Sequence, residues 1–289
     1  MRQDSKLEGG LLTRGLFKKE SKPDKPLVSI ITACFNSEKY LEQTIQSVVN
    51  QTYDNIEYII IDGGSTDNTL NTIKKYDNKI AYWISEPDKG MYDAINKGIK
   101  LMNGDIWACL NSDDQYYLNT LEKIVFYFSK EPDVDIIFGN LDFVTDNGEF
   151  IYRRFFPKLN LNRIMRMNYS LRAISQPAVF LRRSVIENVG YFDTSYSYAS
   201  DMDYFIRVGK NCKIQHKNLA LTKFRLHSNA LSSIYVARTR EEGRSISQKY
   251  IGGDYGKLTE LWDKLYLNLF NLRAVNSKYI IKKIIKSFI

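Results

Sequence analysis

Short apolar runs alternate, through the first half of the chain, with stretches whose apolar residues recur every three or four positions. Residues 28–32 (Val-Ser-Ile-Ile-Thr) read as a strand. Tyr40, Leu41, Ile45, Val48 and Val49 then fall on one face of a helix. A second run, 56–61, ends in Asp62-Gly63-Gly64-Ser65-Thr66-Asp67. There the glycines permit a tight turn, and Ser65 or Thr66 can cap a helix reaching about Lys75. A third strand over 80–85 leads through Glu86-Pro87-Asp88-Lys89-Gly90 to a helix with Ala94, Ile95 and Ile99 inward. A fourth, 106–110, stops at Asn111-Ser112-Asp113-Asp114. Four strand–helix units imply an α/β domain around a mainly parallel sheet. Ligands of such sheets bind beyond the carboxyl ends of the strands. The polar segments 32–36, 62–67, 86–90 and 111–114 all fall on that rim.

The pattern is less regular after residue 130. Strands are predicted over 135–140, 149–155 and 176–182, a helix near 161–167, and an amphipathic helix over 201–210. Residues 1–25, charged throughout, are expected as a flexible N-terminal arm. Residues 26–232 read as one domain, with a regular half (26–115) and a less regular half (116–232). A helical C-terminal extension covers 233–289. In residues 279–289 apolar pairs recur every four positions, giving one apolar and one lysine face. Such a helix, over 278–289, can lie on an anionic membrane surface or dock on protein.

Composition narrows the class. With 44% hydrophobic and 26% charged residues, the chain of 289 residues suits a soluble globular protein. Its three cysteines, Cys34, Cys109 and Cys212, are too scattered for a disulfide framework or a zinc cluster, and Cys34 and Cys109, in apolar runs, fit buried thiols in a reducing compartment. No signal peptide or membrane span is read, so a cytoplasmic location is expected. The net charge of +8 is concentrated. Arg153, Arg154, Lys158, Arg163, Arg166, Arg172, Arg182 and Arg183 lie in a window, 151–183, that holds no acid, and the remainder is balanced. One basic face toward an anionic partner is the expectation.

The chemistry centres on Asp113 and Asp114. Adjacent carboxylates ending a buried strand either open a turn and cap the helix beginning near Leu118, or hold a hard divalent cation against phosphate oxygens. No GxGxxG or GxxxxGK[ST] follows the first strand, so phosphate must be held by a metal and by cations, with Lys89 or the arginine window as sources. Asp62 can accept hydrogen bonds from a base or ribose edge. A nucleoside diphosphate fits this rim, with diphosphate as leaving group.

Residues 28–36 (Val-Ser-Ile-Ile-Thr-Ala-Cys-Phe-Asn), 61–69 (Ile-Asp-Gly-Gly-Ser-Thr-Asp-Asn-Thr) and 110–114 (Leu-Asn-Ser-Asp-Asp) resemble the nucleotide-binding half of family 2 glycosyltransferases. Residues 85–98 resemble a segment of a bacterial surface-polysaccharide subgroup, and the likeness spans about 26–232. The resemblance implies the GT-A fold: a Rossmann-like, mainly parallel sheet flanked by helices, here with a helical C-terminal extension. It implies Asp114 as ligand of Mn²⁺ or Mg²⁺, Asp113 facing the donor ribose, and Thr32, Phe35 and Asn36 lining the nucleoside, largely by backbone. Asp201, in Ser200-Asp201-Met202-Asp203, is by the same match the general base of an inverting single displacement, with Asp203 in support. His227 either completes the metal shell or contacts phosphate, or is a structural polar histidine. His216, in a lysine-flanked stretch, reads as a surface residue.

Three departures accompany the likeness. Where relatives often have paired aspartates this chain has Asp62-Gly63, so Asp62 must cover the base-edge contact or uracil recognition is altered. Ala94-Ile95-Asn96 stands for Ala-Arg-Asn, and Ser175-Gln176 for His-Gln. The implied enzyme is a hexosyl- or N-acetylhexosaminyltransferase of polysaccharide biosynthesis. Its implied partners are a nucleotide-sugar donor, with UDP favoured, and a saccharide or lipid-diphosphate-linked acceptor; nucleic acid is not among them. Two other classes are weighed against it. A sugar nucleotidyltransferase would carry a glycine-rich basic loop after its first strand, which residues 32–37 lack. A basic binding module for nucleic acid or membrane would leave four carboxylate-bearing strand ends unexplained.

Overall fold

The computed structural model describes residues 6–156 and 174–251 together with Leu265. Its frame is an α/β sheet that starts with β1 (Leu7–Gly9), β2 (Val28–Cys34), β3 (Ile56–Asp62), β4 (Tyr82–Ser85) and β5 (Ile106–Cys109). Helices α1 (Leu41–Val49), α2 (Thr69–Lys75) and α3 (Met91–Leu101) connect β2 to β5. Then come β6 (Gln115–Tyr116), α4 (Thr120–Lys130), β7 (Ile136–Val144), β8 (Phe150–Arg154), a 3₁₀ turn at Gln176–Ala178 and β9 (Val179–Arg182). Finally come α5 (Ser184–Val189), α6 (Ser200–Asn211), β10 (Ile214–Arg225), α7 (Leu231–Ile234) and α8 (Val236–Ile251).

The strand order is β1-β4-β3-β2-β5-β9-β7-β10-β6, with β8 added to β7. Strands β4, β3, β2 and β5 run parallel, and β10 runs parallel to β7, whereas β9 is antiparallel to both its neighbours. The chain winds outward from β2 to β4 and then crosses back to place β5 on the other side of β2. Such a reversal opens a crevice at the carboxyl ends of the two strands on either side of it. Every residue of β3 is buried, as expected of a parallel strand covered on both faces. Its one interior charge, Glu57, accepts hydrogen bonds from Ser29 Oγ and from the backbone and side-chain amides of Asn103. On the covering layer, α3 approaches β2 so closely that a Cβ on Gly98 would stand 2.5 Å from Ile31 Cγ2.

Three expectations change. Residues 7–9, expected within a flexible arm, pair antiparallel with the edge of β4. Asp77 anchors the residues that follow, taking Gly10 N–H at 2.7 Å and Arg14 at 2.9 Å. A three-residue strand held by backbone bonds has no periodicity to read. His216 is not a surface residue: on β10 its Nε2 lies 2.9 Å from Asn140 Oδ1 and its ring packs against Phe138. Burial lowers its pKa from 6.5 to about 4. Between those values the unfolded chain binds a proton that the folded chain does not, so stability is full above pH 6.5 and falls as pH drops toward 4. The loss expected at this partly exposed ring is about 1–2 kcal/mol, read as a falling melting temperature that His216→Leu flattens.

The basic window also divides. Arg153 makes a two-pronged pair with the buried Asp142, at 2.6 and 2.8 Å. Arg182 donates to the carbonyls of Val134 and Phe128 and lies over the Phe128 ring. It is in register with Ile106, the first residue of β5, so it and Arg183 sit at the end of the sheet opposite the rim. The expected single cationic face is therefore not formed by these three. Lys158, Arg163, Arg166 and Arg172, the helix expected near 161–167, and the amphipathic segment 278–289 lie outside the described residues.

Candidate active site

The loops after β2 and β3 are latched together. Asn36 N–H donates to Ser65 Oγ at 2.8 Å, and Thr66 N–H returns a bond to Asn36 Oδ1 at 2.9 Å. Asn36 holds a left-handed backbone (φ 47°), a conformation asparagine tolerates better than most residues. Ser37 Oγ then reaches Ser112 Oγ at 2.9 Å, tying this latch to the loop after β5. Phe35 projects from it, 61% exposed. Thr32 is wholly buried with its hydroxyl against Tyr58 OH, so it meets no ligand by its side chain.

Asp62 is likewise fully buried. One of its oxygens takes the Ser65 hydroxyl and the Cys34 thiol; the other takes Ser65 N–H at 3.1 Å and Ser85 Oγ at 2.6 Å. It ties the turn and cannot meet a base edge, which overturns the role the sequence gave it. Lys89 is exposed on the loop after β4, where its N–H donates to Asp93 Oδ2 at 3.1 Å.

Asp113 and Asp114 part company at the end of β5. Asp114 is 1% exposed, and each of its oxygens already has a donor: Arg225 N–H at 3.0 Å and Asn111 Nδ2 at 3.0 Å. Burial, and next the charge of Asp113, push its carboxyl well above the usual carboxylate range. The Asp113 side chain is 25% exposed, and its Oδ2 lies 2.9 Å from His227 Nε2. Tyr40 packs on His227 with ring centroids 4.7 Å apart. Arg225, 1% exposed, clamps the turn by donating from Nε to the Asp113 carbonyl at 3.0 Å and from Nη2 to Gln43 Oε1 at 2.7 Å. The carboxylate turned outward is thus Asp113, and that of Asp114 is turned inward. A carboxylate beside an imidazole is an oxygen–nitrogen donor set suited to Mn²⁺. Among the described residues no group of three or more His, Cys, Asp or Glu gathers.

Asp201 sits in the first turn of α6. Its Oδ1 accepts Met202 N–H at 2.9 Å and the Tyr92 hydroxyl at 3.1 Å. Tyr92 belongs to the first turn of α3, just beyond the rim loop 86–90. Asn96, one turn on, exchanges two hydrogen bonds with the Phe192 backbone at 2.9 and 3.0 Å. Tyr92 and Asn96 therefore join the nucleotide half to the segment bearing Asp201. Sequence reasoning missed both; their spacing of four on one helical face was the available signal. Ile95, standing for the relatives' arginine, is buried in the core. From the other side, the Glu242 carboxylate on α8 accepts the N–H groups of Ser197, Tyr198 and Ala199 at 2.8–2.9 Å. Asp203 is buried and bonded to Arg207, Lys249 and Tyr250, a structural clasp between α6 and α8.

Residues 29–190 match the family described as Glycosyl transferase family 2, and the chain belongs to that family. An uncharacterized glycosyltransferase of Haemophilus influenzae is 29% identical over 238 residues, covering 78% of this chain and 73% of that protein. One from Rickettsia felis is 30% identical over 211 residues, which are 70% of this chain but 35% of the relative. Among solved structures, Staphylococcus aureus TarS with UDP-GlcNAc superposes with a TM-score of 0.64 at 20% identity, over 84% of this chain and 69% of TarS. The mannosyltransferase PcManGT of Pyrobaculum calidifontis, in complex with GDP-Man and Mn²⁺, gives 0.59 at 16% identity, over 90% and 76%. The fold is GT-A. No helix among the described residues is long and apolar enough to cross a membrane.

Proposed function

We propose that this glycosyltransferase moves a hexosyl or N-acetylhexosaminyl group from a UDP-sugar to a hydroxyl of a saccharide or lipid-diphosphate-linked acceptor, with inversion, in polysaccharide assembly. The observation that carries the reading is the outward-facing Asp113–His227 pair on the same rim as the Phe35–Asn36 and Ser65 latch. Asp113 and His227 would hold Mn²⁺ or Mg²⁺, a revision of the Asp114 assignment. A bound ion of this kind neutralises charge on the departing diphosphate. Phe35 and the backbone at Asn36 flank the nucleoside, and Lys89 adds positive charge at the rim.

Asp201 accepts the proton of the acceptor hydroxyl, at the carboxylate that Tyr92 and Met202 N–H orient. Residues 26–115 then form the nucleotide-binding half, 116–232 the acceptor half and 233–289 a helical extension, of which α8 braces α6. A cytoplasmic enzyme with segment 278–289 on an anionic membrane would meet lipid-linked acceptors where they reside. The test is product analysis on a panel of UDP-sugars. Free UDP should appear with at least one sugar, cease with EDTA and return with Mn²⁺. Formation of sugar-1-phosphate and UTP from UDP-sugar and pyrophosphate would instead favour a nucleotidyltransferase.

A further inference from the structure

We infer that Asp88, its carboxyl seated where Gly63 bears no side chain, reads the nucleoside base by accepting an imino N–H such as uracil N3–H. This rests on the nucleotide-donor reading above. With Asp62 sealed under Ser65 and Ser85, the end of β3 presents no other acidic side chain to the rim until Asp67, which is bonded to Glu38 N–H and Thr69 N–H.

The loop after β4 fills that gap. Glu86 N–H donates to the Asp62 carbonyl at 3.0 Å, fixing the loop on the strand end. Gly64, at φ +79°, lets Pro87 lie close: a Cβ there would stand 3.3 Å from Pro87 N. A Cβ on Gly63 would stand 2.7 Å from Asp88 Oδ2 and 3.1 Å from its Cγ. The Asp88 carboxyl thus occupies the volume that any side chain at 63 would need. Its Oδ1 is held by Gly90 N–H at 2.8 Å, while Oδ2 receives no hydrogen bond from the described residues. The group is half-buried, and burial raises its pKa above the usual carboxylate value. A carboxylate oxygen partly withdrawn from water and lacking a donor is costly, and a ligand N–H offsets that cost. An ionised carboxylate only accepts. It therefore favours uracil, thymine or guanine, which carry an imino N–H, and opposes the bare ring nitrogens of cytosine and adenine.

Titration calorimetry of the full chain in Mn²⁺, with UDP, GDP, CDP and ADP, tests this. The parent should bind UDP or GDP at least about tenfold more tightly than CDP and ADP, the scale of one charge-assisted hydrogen bond. Asp88→Ala, and Gly63→Ala by displacing Asp88, should bring that ratio close to one. The exchange Gly63→Asp with Asp88→Gly should restore it, a rescue that general damage to the fold would not give. An Asp88→Ala protein that keeps the parent's ratio, or a parent that prefers CDP or ADP, overturns the inference while leaving the nucleotide reading intact. A parent that binds no nucleotide at all overturns the nucleotide reading itself.

Discussion

Asp113→Ala should lower sugar transfer by about 10³-fold or more while moving the melting temperature by no more than a few degrees. The carboxylate is partly exposed and its side chain is paired with His227 at 2.9 Å, so the expected loss of packing is small. What disappears is the anionic half of the metal-holding pair, and charge neutralisation at a leaving diphosphate lowers the barrier by several kcal/mol. Asp114→Asn should behave in the opposite way. Asparagine keeps the size of the buried side chain and one of its two accepting oxygens. The cost is one mismatched contact with Arg225 N–H or Asn111 Nδ2, about 1–2 kcal/mol of stability, with transfer retained below the transition. Comparing initial rates with thermal unfolding of the two variants separates these outcomes.

The second large effect is expected at Asp201. Asp201→Asn keeps an oxygen for Met202 N–H and the Tyr92 hydroxyl, so α6 retains its setting. It removes the basic carboxylate, and kcat should fall by about 10²–10⁴-fold with UDP affinity unchanged. Tyr92→Phe supplies a check that mere loss of packing would not pass. The ring stays and only the hydroxyl bonded to Asp201 Oδ1 is removed, so kcat should fall by about tenfold with UDP affinity unchanged. A kcat equal to the parent's would remove Tyr92 from the positioning of Asp201.

The parallel half of the fold was legible because β2, β3 and β5 are buried on both faces and are therefore spelled mostly in apolar residues. Strand β10 was not. Its sequence, Ile-Gln-His-Lys-Asn-Leu-Ala-Leu-Thr-Lys-Phe-Arg, mixes polar and apolar positions, and its register with β7 shifts twice between His216 and Thr222. Burial there comes from partners more than 70 residues away, which no local pattern encodes: Asn140 for His216, and Asp113 and Asp114 for Arg225. The rim itself followed from strand ends alone. Which carboxylate faces outward did not, because Asp113 and Asp114 are neighbours on one turn and the choice is made by Arg225 and Asn111. Asp62 shows the same limit: its serine partners at 65 and 85 draw it inward, and Asp88 comes from the next loop to stand over Gly63.

In the proposed site the outward Asp113–His227 pair, rather than the buried Asp114, holds the metal against the donor diphosphate. Electron paramagnetic resonance of Mn²⁺ in the presence of UDP tests it directly, through the fraction of the ion bound by the parent, Asp113→Ala and Asp114→Asn proteins. UDP-supported Mn²⁺ binding should be lost in Asp113→Ala and kept in folded Asp114→Asn. Binding kept in Asp113→Ala and lost in folded Asp114→Asn would contradict the account.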